Sequence, residues 1–89
     1  MNFQLNNNGN SADDLREQFM KLNDAIMTAE GYLRSMDYTH GRNYQTMGNA
    51  AELQAEDQRE FREIVGHVEV IKAFAMAGAA RVIRQREGL

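Results

Sequence analysis

The sequence predicts an all-α protein: an antiparallel helical hairpin with a longer second helix, assembled into a homo-oligomeric helical bundle. Composition is the first reason, since 89 residues with no Pro and only 7 Gly lack the punctuation of an all-β chain. Two stretches repeat apolar residues at alternating intervals of three and four, the pattern of helices packed along a seam. A single polar segment without that period separates them.

Residues 1–10, MNFQLNNNGN, read as a flexible tail, because Asn6, Asn7, Asn8 and Asn10 around Gly9 favour turns and cannot bury a face. Phe3 and Leu5 are its two apolar residues able to clip it onto a helix. Residues 11–89 form one helical-hairpin domain. Ser11, with Asp14 three residues on, gives a capping-box-like start, and Asp13 and Asp14 suit the positive end of a helix dipole. From there Ala12, Leu15, Phe19, Leu22, Ile26, Ala29, Leu33 and Met36 make an uninterrupted seam, placing the first helix at about 11–36. Met20 and Met27 lie beside the seam and widen it, so this helix is expected to have more than one neighbour.

The segment 37–49, DYTHGRNYQTMGN, has no apolar period and reads as the connecting loop. Asn49 is a plausible cap for a second helix at about 49–86, whose seam is Phe61, Ile64, Val68, Ile71, Ala75, Gly78 and Val82. Gly66 costs such a helix only about 1 kcal/mol, so it is expected to continue through. At 1.5 Å per residue the second helix is about 57 Å long against about 39 Å for the first, and the surplus needs cover. Beyond residue 68 the apolar residues spread onto a second face through Val70, Phe74, Ala77 and Ile83, beside a run of small residues that permits close helix approach. The expected oligomer interface is therefore Val70, Phe74, Ala75, Gly78, Ala79 and Val82, in a dimer or higher assembly.

Function classes are narrowed mostly by exclusion. The chain has no Cys, which removes disulfide frameworks, thiolate metal sites and cysteine nucleophiles. Its net charge of -3 argues against a chain devoted to coating nucleic acid. Neither a secretory signal nor a membrane span is visible, so a cytoplasmic protein is expected. No nucleophile constellation or phosphate cradle is present, and the expectation is a non-enzyme without cofactor or metal. Glu60, Glu63 and His67 share one side of the second helix, near enough to Glu30 in a bundle to suggest a carboxylate site, but the Glu lies four rather than three residues before His67.

Two polar clusters remain. In the loop, Tyr38, His40, Arg42, Asn43 and Tyr44 bring stacking and hydrogen-bonding groups together, either as a partner-binding surface or as a turn whose tyrosines pack over the helix ends. At the end of the second helix, Arg81, Arg84 and Arg86 favour the negative dipole end and are candidate anion-binding residues, with nucleic acid as a subordinate partner.

Two families share the hairpin outline. The secreted WXG-type proteins carry Trp in their turn, and this chain has none. The stretch REQFMKLNDAI, residues 16–26, resembles a segment of small phage proteins that sequester nucleotide signals of bacterial immunity. That resemblance covers 11 of 89 residues and implies a phage-encoded oligomeric binder whose partner is a host protein or a small nucleotide. The leading expectation is a binding or inhibitory protein of anti-defence type; the alternatives are a structural oligomer, such as a virion or scaffold component, and a weak nucleic-acid binder.

Overall fold

The computed structural model describes residues 1–5 and 11–88. Helix α1 spans Ser11–Ser35 and helix α2 spans Ala50–Arg86, with one 3-10 turn, Gly41–Tyr44, between them. No strand occurs among the described residues. α2 is the longer at 37 residues against 25, and it runs unbroken through Gly66, which lies on the exposed side with no atom near its missing side chain.

The helices pack antiparallel. Arg86 pairs with Asp13 at one end, Lys72 with Glu30 midway at 3.2 Å, and the Tyr38 ring lies 5.7 Å from that of Phe61 at the other end. Asp13 and Asp14 stand in the first turn of α1, while the side chain of Ser11, expected to cap it, lies outside the described residues. At the start of α2, Asn49 makes no side-chain cap bond. Its backbone, at φ -116 and ψ 41, is outside the extended region from which a cap side chain reaches back, and the first turn closes instead through Leu53 N–H donating to Asn49 O at 3.2 Å.

The buried surface of α2 is rotated from the seam expected of it. Phe61, Val65, Val68, Lys72, Ala75, Ala79 and Val82 face α1, with Gly78 beside them, whereas Ile64 and Ile71 are 41% and 39% exposed. Lys72 enters because its aliphatic stem can lie in the seam while its ammonium reaches Glu30 of α1. A single strict stripe is not required of a helix with 3.6 residues per turn, and the buried row drifts across neighbouring positions.

Irregular segments cover both ends of α2. The loop folds back over its first turns, with Gln54 Nε2 donating to Thr39 O at 2.9 Å and Tyr44 buried against Asp57. At the far end Phe3 stacks on Phe19 with 5.9 Å between centroids, Arg81 lies over the Phe3 ring and donates to the Phe3 carbonyl at 2.7 Å, and Leu5 N–H donates to Gln85 Oε1 at 2.7 Å. The surplus length of α2 is thus met in part by the chain's own loop and first residues.

The core remains thin. Tyr44, Ala75, Ala79 and Val82 are the buried apolar residues among those described. The molecule measures 64 × 20 × 15 Å, with a radius of gyration of 19.5 Å, where a compact chain of this length has about 12 Å. No helix among the described residues is long and apolar enough to cross a membrane.

Candidate interaction surface

The polar loop is held by its own groups. His40 Nδ1 accepts from Arg42 N–H at 3.2 Å and opens the 3-10 turn, while Asn43 Nδ2 donates to the Asp37 and Tyr38 carbonyls at 3.1 and 2.9 Å. Arg42 pairs with Asp37. The Tyr44 hydroxyl donates to Asp57 Oδ2 at 2.7 Å, and its pKa is pushed up to about 12, first by that bond and then by burial. Tyr38 is also raised, by desolvation and then by the negative charges of Asp57 and Glu60. Of the five residues expected to present a binding surface, Tyr44 is turned inward at 5% exposure, so it corrects the expectation of a loop tyrosine offered to a partner. His40 and Asn43 spend polar groups on shaping the turn.

The six residues expected at an oligomer interface divide. Ala75, Gly78, Ala79 and Val82 are buried within a single chain, against α1. Their small side chains serve a close approach inside the hairpin: the Phe19 ring occupies the space above Gly78 and meets Phe74 edge-on at 5.6 Å. A residue with 0% exposure, as Val82 has, offers no surface to another chain. Val70 and Phe74 do, at 67% and 51%, and with Ile64 and Ile71 they make an apolar flank along α2.

The arginine cluster is likewise dispersed. Arg81 is committed to Phe3 and Arg86 to Asp13, which leaves Arg84 exposed. Glu30, considered as a ligand beside His67, is instead joined to Lys72 at 3.2 Å and Arg34 at 3.5 Å, with Glu69 bridging both cations. Its carboxyl is held below the ordinary 4.5 through hydrogen bonding with Glu69 and Lys72 and by the charges of Lys72 and Arg34, against the desolvation that raises it.

On the side of the hairpin opposite Val70 lies a groove of about 550 Å³ between the two helices. Met20 and Met27 of α1 form one wall, and Met76, Ala80 and Ile83 of α2 form the other. Met20, Met27, Met76 and Ile83 are 43%, 53%, 63% and 38% exposed. Asn23 is the polar residue in the α1 wall: its Nδ2 donates to Met27 Sδ at 3.5 Å, and its Oδ1 is shut off from water with no hydrogen-bond partner. The widened stripe at Met20 and Met27 is legible in the sequence. Asn23 is not, because only packing tells a solvated amide from an enclosed one. No protein-family model, no curated protein and no solved structure matches this chain.

Proposed function

We propose that the protein is a non-enzymatic binding protein, working in the cytoplasm as a homo-oligomer, that holds or blocks a partner protein. The observation that carries this reading is apolar exposure. Thirteen large apolar or aromatic side chains are exposed among the described residues, whereas only two of those described, Tyr44 and Val82, are buried. Contiguous exposed apolar surface on a short chain marks places where other molecules bind. The α2 flank of Ile64, Val70, Ile71 and Phe74 suits a protein partner better than a nucleotide, since it offers apolar area and the charged residues sharing its face, Glu60 and Glu63, are acidic.

The experiment is capture by the immobilised protein from cell lysate, with mass spectrometry of retained proteins and small nucleotides, repeated with Ile64→Glu/Val70→Glu. Specific retention of one protein that the double variant loses supports the reading. Retention that survives the variant, or no retention, removes it. A structural role is the second reading, favoured by the 64 Å rod form. It predicts growth into large assemblies with no other protein retained.

A further inference from the structure

We infer that the end of the hairpin around Phe19, Arg81 and Gln85 is a socket for an extended peptide segment carrying an aromatic residue, and that the chain's own residues 1–5 are a built-in occupant which a partner protein displaces. This rests on the partner-binding reading above and adds to it a second contact surface and the chemistry of the segment that fills it.

The occupant shows what the socket reads. Gln85 Nε2 donates to the Phe3 carbonyl at 3.0 Å and its Oε1 accepts from the Leu5 N–H at 2.7 Å, so one carboxamide grips the main chain on both sides of Gln4. A strand added to a sheet edge is joined in the same way, through main-chain donors and acceptors that flank an unread side chain. Arg81 adds a third bond, its Nε donating to the Phe3 carbonyl at 2.7 Å. Such bonds do not depend on which chain supplies the backbone.

Side-chain selectivity comes mainly from one position. The Phe3 ring stacks on Phe19 with 5.9 Å between centroids and lies 5.3 Å from the Arg81 guanidinium carbon, whereas Gln4 is exposed. Stacking and a cation over the ring both require an aromatic side chain there. Leu5 is half-buried, so the pattern read is an aromatic residue, any residue, then an apolar one.

The strap is replaceable. Its hydrogen bonds and ring contacts are set against the conformational entropy of ordering five residues, which brings closure close to balance. Residues 6–10, which join it to α1, contain no apolar residue to add to its hold. Tethering still presents the strap at an effective concentration of about millimolar, so a competitor must bring further contacts. The α2 flank provides them: Ile71, Phe74, Gly78, Arg81 and Gln85 follow one another at intervals of three and four, and Phe74 meets Phe19, the floor of the socket, at 5.6 Å between centroids. A protein seated on the flank is therefore beside the socket.

The probe is the peptide MNFQLN, residues 1–6 with an amidated C-terminus, titrated to millimolar concentration into the full-length chain labelled with nitrogen-15 and followed by NMR. The Phe3→Ala chain, whose own strap has lost its ring, should bind the peptide at least about tenfold more tightly than the native chain, with shifts centred on Phe19, Arg81 and Gln85. The peptide carrying Gln4→Lys should bind equally well, the peptide carrying Phe3→Ala should not bind, and the Phe3→Ala/Gln85→Ala chain should lose the site. Equal binding by the native and Phe3→Ala chains, no binding by either, or binding kept by the Phe3→Ala peptide overturns the proposal. Leu5→Pro, which lacks the N–H given to Gln85, takes the place of Phe3→Ala should that chain unfold. Unfolding of both makes residues 1–5 indispensable to the fold and overturns the proposal too. A native dimer mass that the peptide halves assigns the socket to the strap of a second copy and overturns a foreign occupant. Failure of the peptide leaves lysate capture through Ile64 and Val70 standing, and failure of that capture with the peptide bound removes the flank reading alone.

Discussion

The Phe19 ring lies where a side chain at position 78 would begin: a Cβ built on Gly78 would fall 2.2 Å from Phe19 Cε1, with two more ring atoms within 2.5 Å. The glycine is therefore the socket on α2 for the Phe19 ring of α1. Alanine is better than glycine in a helix by about 1 kcal/mol, yet Gly78→Ala should be net destabilising by about 1–3 kcal/mol because the ring must leave its seat. Urea unfolding measures this. Combining it with Phe19→Leu should recover most of the loss, because the two residues are in direct contact and their effects do not add.

Tyr44 gives the protein an alkaline signature. A phenol whose folded pKa is about 12, above an unfolded value of 10.0, keeps its proton longer in the folded chain. The stability it contributes is complete below pH 10.0 and is lost as pH rises toward 12. Absorbance titration of phenolate should show its last step near pH 12, and that step should be missing in Tyr44→Phe. An unchanged curve in that variant would assign the late step elsewhere.

Glu30 behaves in the opposite sense. Its folded pKa lies below 4.5, so the stability it supplies is complete above 4.5 and is lost as pH falls through the lowered value. The urea midpoint should accordingly decline with acid in that window. Lys72→Met removes the cation that holds Glu30 charged, and the decline attributable to Glu30 should shrink. Added salt should weaken the same network in the native chain, since Arg34 and Glu69 are exposed members of it.

The first residues are tied by contacts that a single change can release. Gln85 holds both the Leu5 N–H, through Oε1 at 2.7 Å, and the Phe3 carbonyl, through Nε2 at 3.0 Å. Hydrogen exchange of the Leu5 amide should accelerate in Gln85→Ala. Phe3→Ala, which loses the stack on Phe19 and the Arg81 cation beneath it, should lower global stability by about 1 kcal/mol. Exchange at Leu5 that is already at the unprotected rate in the native chain would contradict this seating.

Both helices and the continuity of α2 could be read from periodicity and the absence of Pro, because those properties reside in local spacing. The loop residues were also legible as a group, but their roles were not. Tyr44 and Asp57 are 13 residues apart, and only the fold brings the hydroxyl onto the carboxylate. The small residues at 75, 78 and 79 signalled a close helix crossing without naming the second helix. The candidate groove was half visible, in Met20 and Met27.

Helix content, hairpin order and an exposed apolar surplus follow from residue pattern and chain length. Rotation of α2 about its axis does not. Ile64 and Val65, or Ile71 and Lys72, are adjacent positions on one helix and compete for the same seam, so no local rule chooses between them. The choice turns on α1: Glu30 draws Lys72 into the seam, Phe19 takes the space above Gly78, and Ile64, Ile71, Met20 and Met27 are left outside it. Which apolar residues close the hairpin, and which remain for a partner, is a property of two helices in contact.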